Sequence, residues 1–218
     1  MVCYKVGQPC ECRKGRKMGM LKPDWNQPRP TWEDTRDMGR EIQLMRTDTH
    51  ARQFDEFVAS LKKSHRNGGA QLAAFDVGEN LVFDWFASRN RLYEIGVLDA
   101  LLTRPTVREA LPELRIPDSF PEGTGFDLRS SFTLDGDLAH ALYHGGAYHK
   151  KEGDGRKEKE LALAVCEAMF VLRFGEVSRF SAHGMWTPWF HDIAWDNSDV
   201  VFDHRLRRLW LIAITDTD

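Results

Sequence analysis

The chain has 218 residues, of which 42% are hydrophobic and 29% charged, and its formal net charge is -3. That length and apolar fraction can bury a sizeable core, which excludes a wholly disordered chain. The longest apolar runs, Leu161 to Ala164 and Leu209 to Ile214, fall far short of the roughly 20 residues of a spanning helix. No basic segment followed by an apolar one opens the sequence, so a soluble, cytoplasmic protein without membrane contact is expected.

The charge is unevenly spread. Met1 to Lys22 carries six Lys or Arg and one Glu, centred on Arg13-Lys14-Gly15-Arg16-Lys17, so the remainder is acidic. Pro9, Pro23, Pro28 and Pro30 keep this part extended. Residues 1–31 are therefore expected to form a basic, proline-containing flexible arm, and residues 32–218 a single domain. Nucleic acid is not expected as a partner except through this arm, because no basic, aromatic-interleaved face continues into the body. Cys3, Cys10 and Cys12 crowd the arm. A cytoplasmic setting favours thiols over disulfides, and a Cys-x-Cys step is too short to act alone as a zinc knuckle.

From Trp32 onward the elements follow in order. Asp48 or Thr49 can cap a helix with Phe54, Phe57, Val58 and Leu61 on one face, ended by Asn67-Gly68-Gly69. Gln71 to Asp76 and Leu81 to Ala87 read as a hairpin turning at Val77-Gly78-Glu79-Asn80. Arg91 to Leu102 is helical, broken by Thr103-Arg104-Pro105 before a short helix at Thr106 to Leu111. Pro112 to Gly125 is a loop. Asp135 caps a helix through His144, closed by Gly145-Gly146. Glu160 to Phe174 is a helix burying Leu161, Val165, Met169 and Leu172, with Cys166 in the apolar run and Gly175 as its stop. Phe190 to Trp195, Asp199 to Asp203 and Arg208 to Thr215 read as strands, the last two turning at Asp203-His204-Arg205. Clustered rather than alternating strands and helices indicate an α+β fold, an antiparallel sheet with helices packed mainly on one face. Leu98, Leu101, Leu163, Phe170, Trp195, Trp210 and Ile212 join the expected core.

Four constellations could carry chemistry. His140 and His144 lie four apart on one helix face and His149 follows in the next loop, a pattern that could hold a divalent metal such as zinc. Ala141 stands where a His-Glu-x-x-His motif places its glutamate. His191-Asp192 resembles the ligand pair of the HD phosphohydrolases, and that resemblance implies His149 or His183 as upstream and Asp216 as late metal ligands. Pro188 and three tryptophans are foreign to the buried helix that carries that pair. Tyr143-His144-Gly145-Gly146-Ala147 is similar to the oxyanion-hole loop of esterases, but no Gly-x-Ser-x-Gly nucleophile elbow accompanies it. Lastly, four of the seven tryptophans fall between Trp186 and Trp210, interleaved with Asp192, Asp196, Asp199 and Asp203.

Large rings form interface hot spots, and flanking carboxylates select a basic partner. The sequence therefore favours a non-catalytic, immunity-type or inhibitor-type module that needs no cofactor. It would bind a basic protein through Trp186, Trp189, Phe190, His191, Asp192 and Asp196. The alternative is a metal-dependent hydrolase using the histidine cluster or the His-Asp pair.

Overall fold

A computed structural model describes residues 20–148 and 153–218. Six strands form one antiparallel sheet: β1 (Leu44–Thr47), β2 (Gly69–Val77), β3 (Asp127–Arg129), β4 (Val177–Ala182), β5 (Asn197–Asp203) and β6 (Arg208–Thr215), in the order β1-β2-β6-β5-β4-β3. Among the described residues seven α-helices accompany it: α1 (Trp32–Glu41), α2 (Arg52–Ser64), α3 (Leu81–Ser88), α4 (Val97–Leu102), α5 (Pro105–Ala110), α6 (Leu134–His144) and α7 (Arg156–Phe170). Among the described residues no helix is long and apolar enough to cross a membrane.

The α+β class and the antiparallel sheet are as the sequence indicates, but the helices cover both faces of the sheet. In β6, Trp210, Ile212 and Ile214 join α2, α6 and α7 in one apolar cluster through Phe54, Phe57, Leu138, Val165 and Phe170. The alternate residues Leu209, Leu211 and Ala213 join α1, α3, α4 and α5 in another, with Met38, Phe83, Leu101 and Val107. Successive side chains of a strand point to opposite faces, so a strand that is apolar without interruption has two faces to cover. The run Leu209–Ile214 is such a strand, and its position between β2 and β5 buries every one of those residues.

Several local expectations are corrected. Residues 81–88 form a helix, not the second arm of a hairpin. The Asn80 side chain accepts hydrogen bonds from the N–H groups of Val82 (3.0 Å) and Phe83 (3.1 Å), an N-cap that starts a turn of helix, and β2 pairs with β6 instead. A short apolar run cannot be told from a buried helix by periodicity alone. The helix α2 begins at Arg52 after Ala51, which makes no side-chain cap. Asp135 lies in the first turn of α6, not at its cap. The stretch expected as one helix from Arg91 is a 3-10 turn at Leu92–Ile95 and then α4, separated by Gly96 in the left-handed region. Helix α7 ends at Phe170, where Val171 and Leu172 both take φ of 55°. Leu172 and Leu163 are accordingly exposed, at 37% and 41%, and lie outside the core, while Val58 and Trp195 are half-buried. Residues 190–195 form a chain of turns, not a strand. Strands β1, β3 and β4 go unannounced in the sequence, β4 because it carries buried Ser178, Arg179 and Ser181.

Residues 20–31 lie along α3. Leu21 packs against the apolar cluster on that face, Trp85 donates from Nε1 to the Gln27 carbonyl (3.3 Å), and the Arg89 guanidinium stacks between Trp25 and Trp85. Cys3, Cys10, Cys12 and the basic cluster Arg13 to Lys17 lie outside the described residues.

Candidate functional site

A cleft of about 500 Å³ opens at the end of the sheet where β4 and β6 finish and β2 and β5 begin. Its walls come from five separate stretches of chain. His65 follows α2; Asp137, His140, Ala141 and His144 lie on α6; His183 follows β4; and Trp195, Asp196 and Asn197 lead into β5, with Ile214 of β6 between them. Four of the eight histidines thus meet at one place. The volume suits a small molecule, and apolar walls with a few convergent polar groups are what such sites offer.

The polar groups of this cleft differ in whether they are already engaged. Asp137 Oδ2 accepts from Arg179 Nη1 (2.7 Å). Asp196, buried, holds the preceding loop: its Oδ2 accepts from the N–H groups of His191 (2.9 Å) and Ile193 (3.2 Å), and its Oδ1 from the Thr215 hydroxyl (2.5 Å). Asp196 is therefore spent on the fold, whereas Asp137 is half-exposed and bonded to Arg179 through Oδ2. Asn197 Oδ1 is buried without a partner among the described residues. His140 and His144 are exposed, with ring centroids 4.1 Å apart, as four-residue spacing on a helix allows. His183 is exposed as well.

His65 is different, being only 3% exposed. Its Nδ1 lies 3.1 Å from the Leu61 carbonyl and 3.0 Å from Ser64 Oγ. A carbonyl can only accept, and the Ser64 hydroxyl has the Leu61 carbonyl (3.2 Å) as its own acceptor. The proton therefore belongs on Nδ1, and Nε2 keeps the lone pair. Burial pushes the His65 pKa below the ordinary imidazole value, against the opposing attraction of Asp216 and the bond to Leu61. A neutral, oriented imidazole on a cleft wall is the arrangement of a general base. Sequence reasoning missed His65, since a lone histidine behind an amphipathic helix carries no signal; Leu61 is a local partner one helical turn back, but Asp216 becomes a neighbour only in the fold.

The aromatic-acidic segment does not form the exposed surface expected of it. Trp186 is 7% exposed, donates from Nε1 to Ser198 Oγ (2.8 Å), and packs against Phe120, Phe126 and Phe190. Phe190, at 1%, is core. Asp196 is the internal loop clamp described above. Trp189 is half-buried, and only His191 and Asp192 are exposed, Asp192 in the left-handed region at φ 58°. Rings of this size gain most by leaving water, and the loop supplies a wall of Phe side chains for them.

His140 and His144 are adjacent, but His149 lies outside the described residues. Among the described residues no three His, Cys, Asp or Glu side chains are placed to hold a metal ion. The His191-Asp192 pair sits on the exposed loop, whereas Asp216 is fully buried and engaged elsewhere. Gly145-Gly146 ends α6, with the Gly145 N–H bonded to the Ala141 carbonyl (3.1 Å), so the resemblance to an oxyanion loop reduces to a helix stop. Compared with known protein families and with curated proteins, the chain matches none.

Proposed function

We propose that the histidine-lined cleft binds a small anionic ester and hydrolyses it, with His65 as the general base. The observation that carries this reading is the convergence of four imidazoles from three elements on one cleft, where Asp196 is used up by internal bonds and Asp137 is paired with Arg179. What remains to meet a ligand is a set of imidazoles, which can donate to an anion. The half-buried Trp195 ring offers a flat apolar wall for the remainder of the molecule.

In this reading a water bound beside His65 gives a proton to Nε2 as its oxygen attacks the ester centre. The bond to the leaving oxygen breaks, and the His65 imidazolium returns the proton to that oxygen, so one water is consumed and an acid and an alcohol are released. His140, His144 and His183 hold the anionic group.

The test uses p-nitrophenyl phosphate and p-nitrophenyl hydrogen succinate as probes, with histidine Cε1 resonances followed during titration with inorganic phosphate. H65Q should lower turnover about 10²- to 10⁴-fold, the usual contribution of a positioned acid-base group, and H140Q/H144Q should act mainly on KM. Absence of turnover with both esters, together with histidine resonances that ignore phosphate, would sink the proposal.

The protein-binding reading keeps one specific observation, the exposed His191-Asp192 step beside the half-buried Trp189. Its occupant would be a basic protein, and D192K should then slow association in a salt-dependent way while leaving ester turnover unchanged.

A further inference from the structure

We infer that Asp216 is the positioning residue of this cleft: its buried carboxylate ties the turn that carries His65 to the turn that follows His144. The inference rests on the reading of His65 as the base and adds to it a residue that touches no ligand.

Asp216 follows β6 and is completely buried. Its Oδ1 accepts from the Asn67 N–H (2.9 Å), two residues beyond His65, and its Oδ2 from the Ala147 N–H (2.8 Å), three residues beyond His144. Asn67 Nδ2 in turn donates to the Thr217 carbonyl (2.7 Å). The packing around these bonds leaves no slack. A Cβ at Gly146 would fall inside the Asp216 carboxylate and 2.8 Å from the Ser64 carbonyl, and one at Gly68 would fall on the Thr215 carbonyl. Three distant parts of the chain are knotted at one side chain, and two of them bear cleft histidines.

Burying a carboxylate costs several kcal/mol unless it is paired. Among the described residues Asp216 accepts from the neutral backbone N–H groups of Asn67 and Ala147. Hydrogen bonds from backbone N–H groups to a charged acceptor are strong and directional, which suits an anchor for two turns. The charge also acts at a distance, since Asp216 attracts the protonated form of His65 and opposes the effect of burial there. Among the described residues, the other titratable groups lining the same cleft as His65 are His140, His144 and Asp137 on α6, His183 after β4, and Asp196 before β5. Asp137 and Asp196 are held by their own partners, so Asp216 is the carboxylate whose removal changes the field at His65 without unseating Arg179 or the 191–196 loop.

The experiment is Asp216→Asn in the full chain, read by the pH titration of the His65 Cε1 resonance and by amide exchange at residues 145–147. Loss of the negative charge should lower the His65 midpoint by about half a pH unit or more, and exchange at Ala147 should rise at least about tenfold as its acceptor weakens. With p-nitrophenyl phosphate, kcat should fall while KM changes little. Should D216N not fold, Ala147→Pro removes the donor to Oδ2 and keeps the charge: exchange around Gly146 should rise while the His65 midpoint holds. An unchanged His65 midpoint and unchanged exchange in D216N, or unchanged exchange around Gly146 in A147P, overturns the inference and leaves the base assignment standing. A shifted midpoint in a protein whose turnover is indifferent to H65Q supports the positioning role and removes the base assignment.

Discussion

Replacing Arg179 by Met should be among the most damaging single changes in the protein. Arg179 is fully enclosed between the sheet and α6, and Asp199 beside it is 1% exposed. The guanidinium donates from Nε to Asp199 Oδ1 (2.7 Å), and from Nη1 to Asp137 Oδ2 (2.7 Å) and Thr133 Oγ1 (2.9 Å). Asp199 Oδ1 also receives the Ser181 hydroxyl, and its Oδ2 has no partner among the described residues. The Asp137 side of the pair is half-exposed, so its Coulombic share is about 0–1 kcal/mol. The Asp199 side decides the outcome, because Met leaves a buried carboxylate with one hydroxyl for company, and stranding such a charge costs about 3–5 kcal/mol. For a chain of this size that corresponds to a fall in Tm of about 6–20 °C. Urea denaturation of R179M, D199L and the double variant R179M/D199L forms the cycle. The double variant should recover about 1–4 kcal/mol relative to the sum of the singles, because it buries no unpaired charge. A loss below about 1 kcal/mol in R179M, or strict additivity in the cycle, would refute the argument.

The remaining predictions concern packing and pH. Ile212→Ala should cost about 2–5 kcal/mol, since Ile212 is fully buried in β6 between α2 and α7, whereas Leu163→Ala on the exposed side of α7 should cost under about 1 kcal/mol in the same urea series. Burial pulls the His204 pKa from 6.5 down to about 4, against the attraction of Asp203 and Glu176, so the imidazole is neutral in the fold beside Ser178 Oγ (2.8 Å). The unfolded chain then binds the proton first. Its contribution is present above pH 6.5 and is lost as pH falls from about 6.5 to 4, by up to about 3 kcal/mol, with His65 acting in the same direction. Urea midpoints measured between pH 7.5 and 4.5 should fall less steeply in H204Q than in the parent; parallel profiles would remove His204 from the explanation.

The sequence by itself determined the elements whose burial follows from a local pattern. The stripe of Phe54, Phe57 and Leu61 declares α2, and the unbroken run Leu209 to Ile214 declares a strand, because side-chain periodicity depends only on backbone geometry. That this strand is buried on both sides, with helices on both faces and not mainly on one, was decided by the fold. The turn at Asp203-His204-Arg205 and the helix before Gly145 were legible for the same local reason. Tertiary structure alone decided what the polar residues do. Arg179 and Ser181 look like surface residues in Val177–Ala182 until Asp199 and Asp137 are brought beside them. Trp186 looks like an interface anchor until Phe120 and Phe126 enclose it. His65, His140 and His183 are separated by dozens of residues, and no spacing rule relates them. They meet because β2, β4, β5 and β6 have their ends at the same edge of one sheet, and because a buried carboxylate at Asp216 holds two of the turns together. A desolvated polar group is tolerable only with its partner in place, and partners drawn from distant parts of the chain are chosen by the fold.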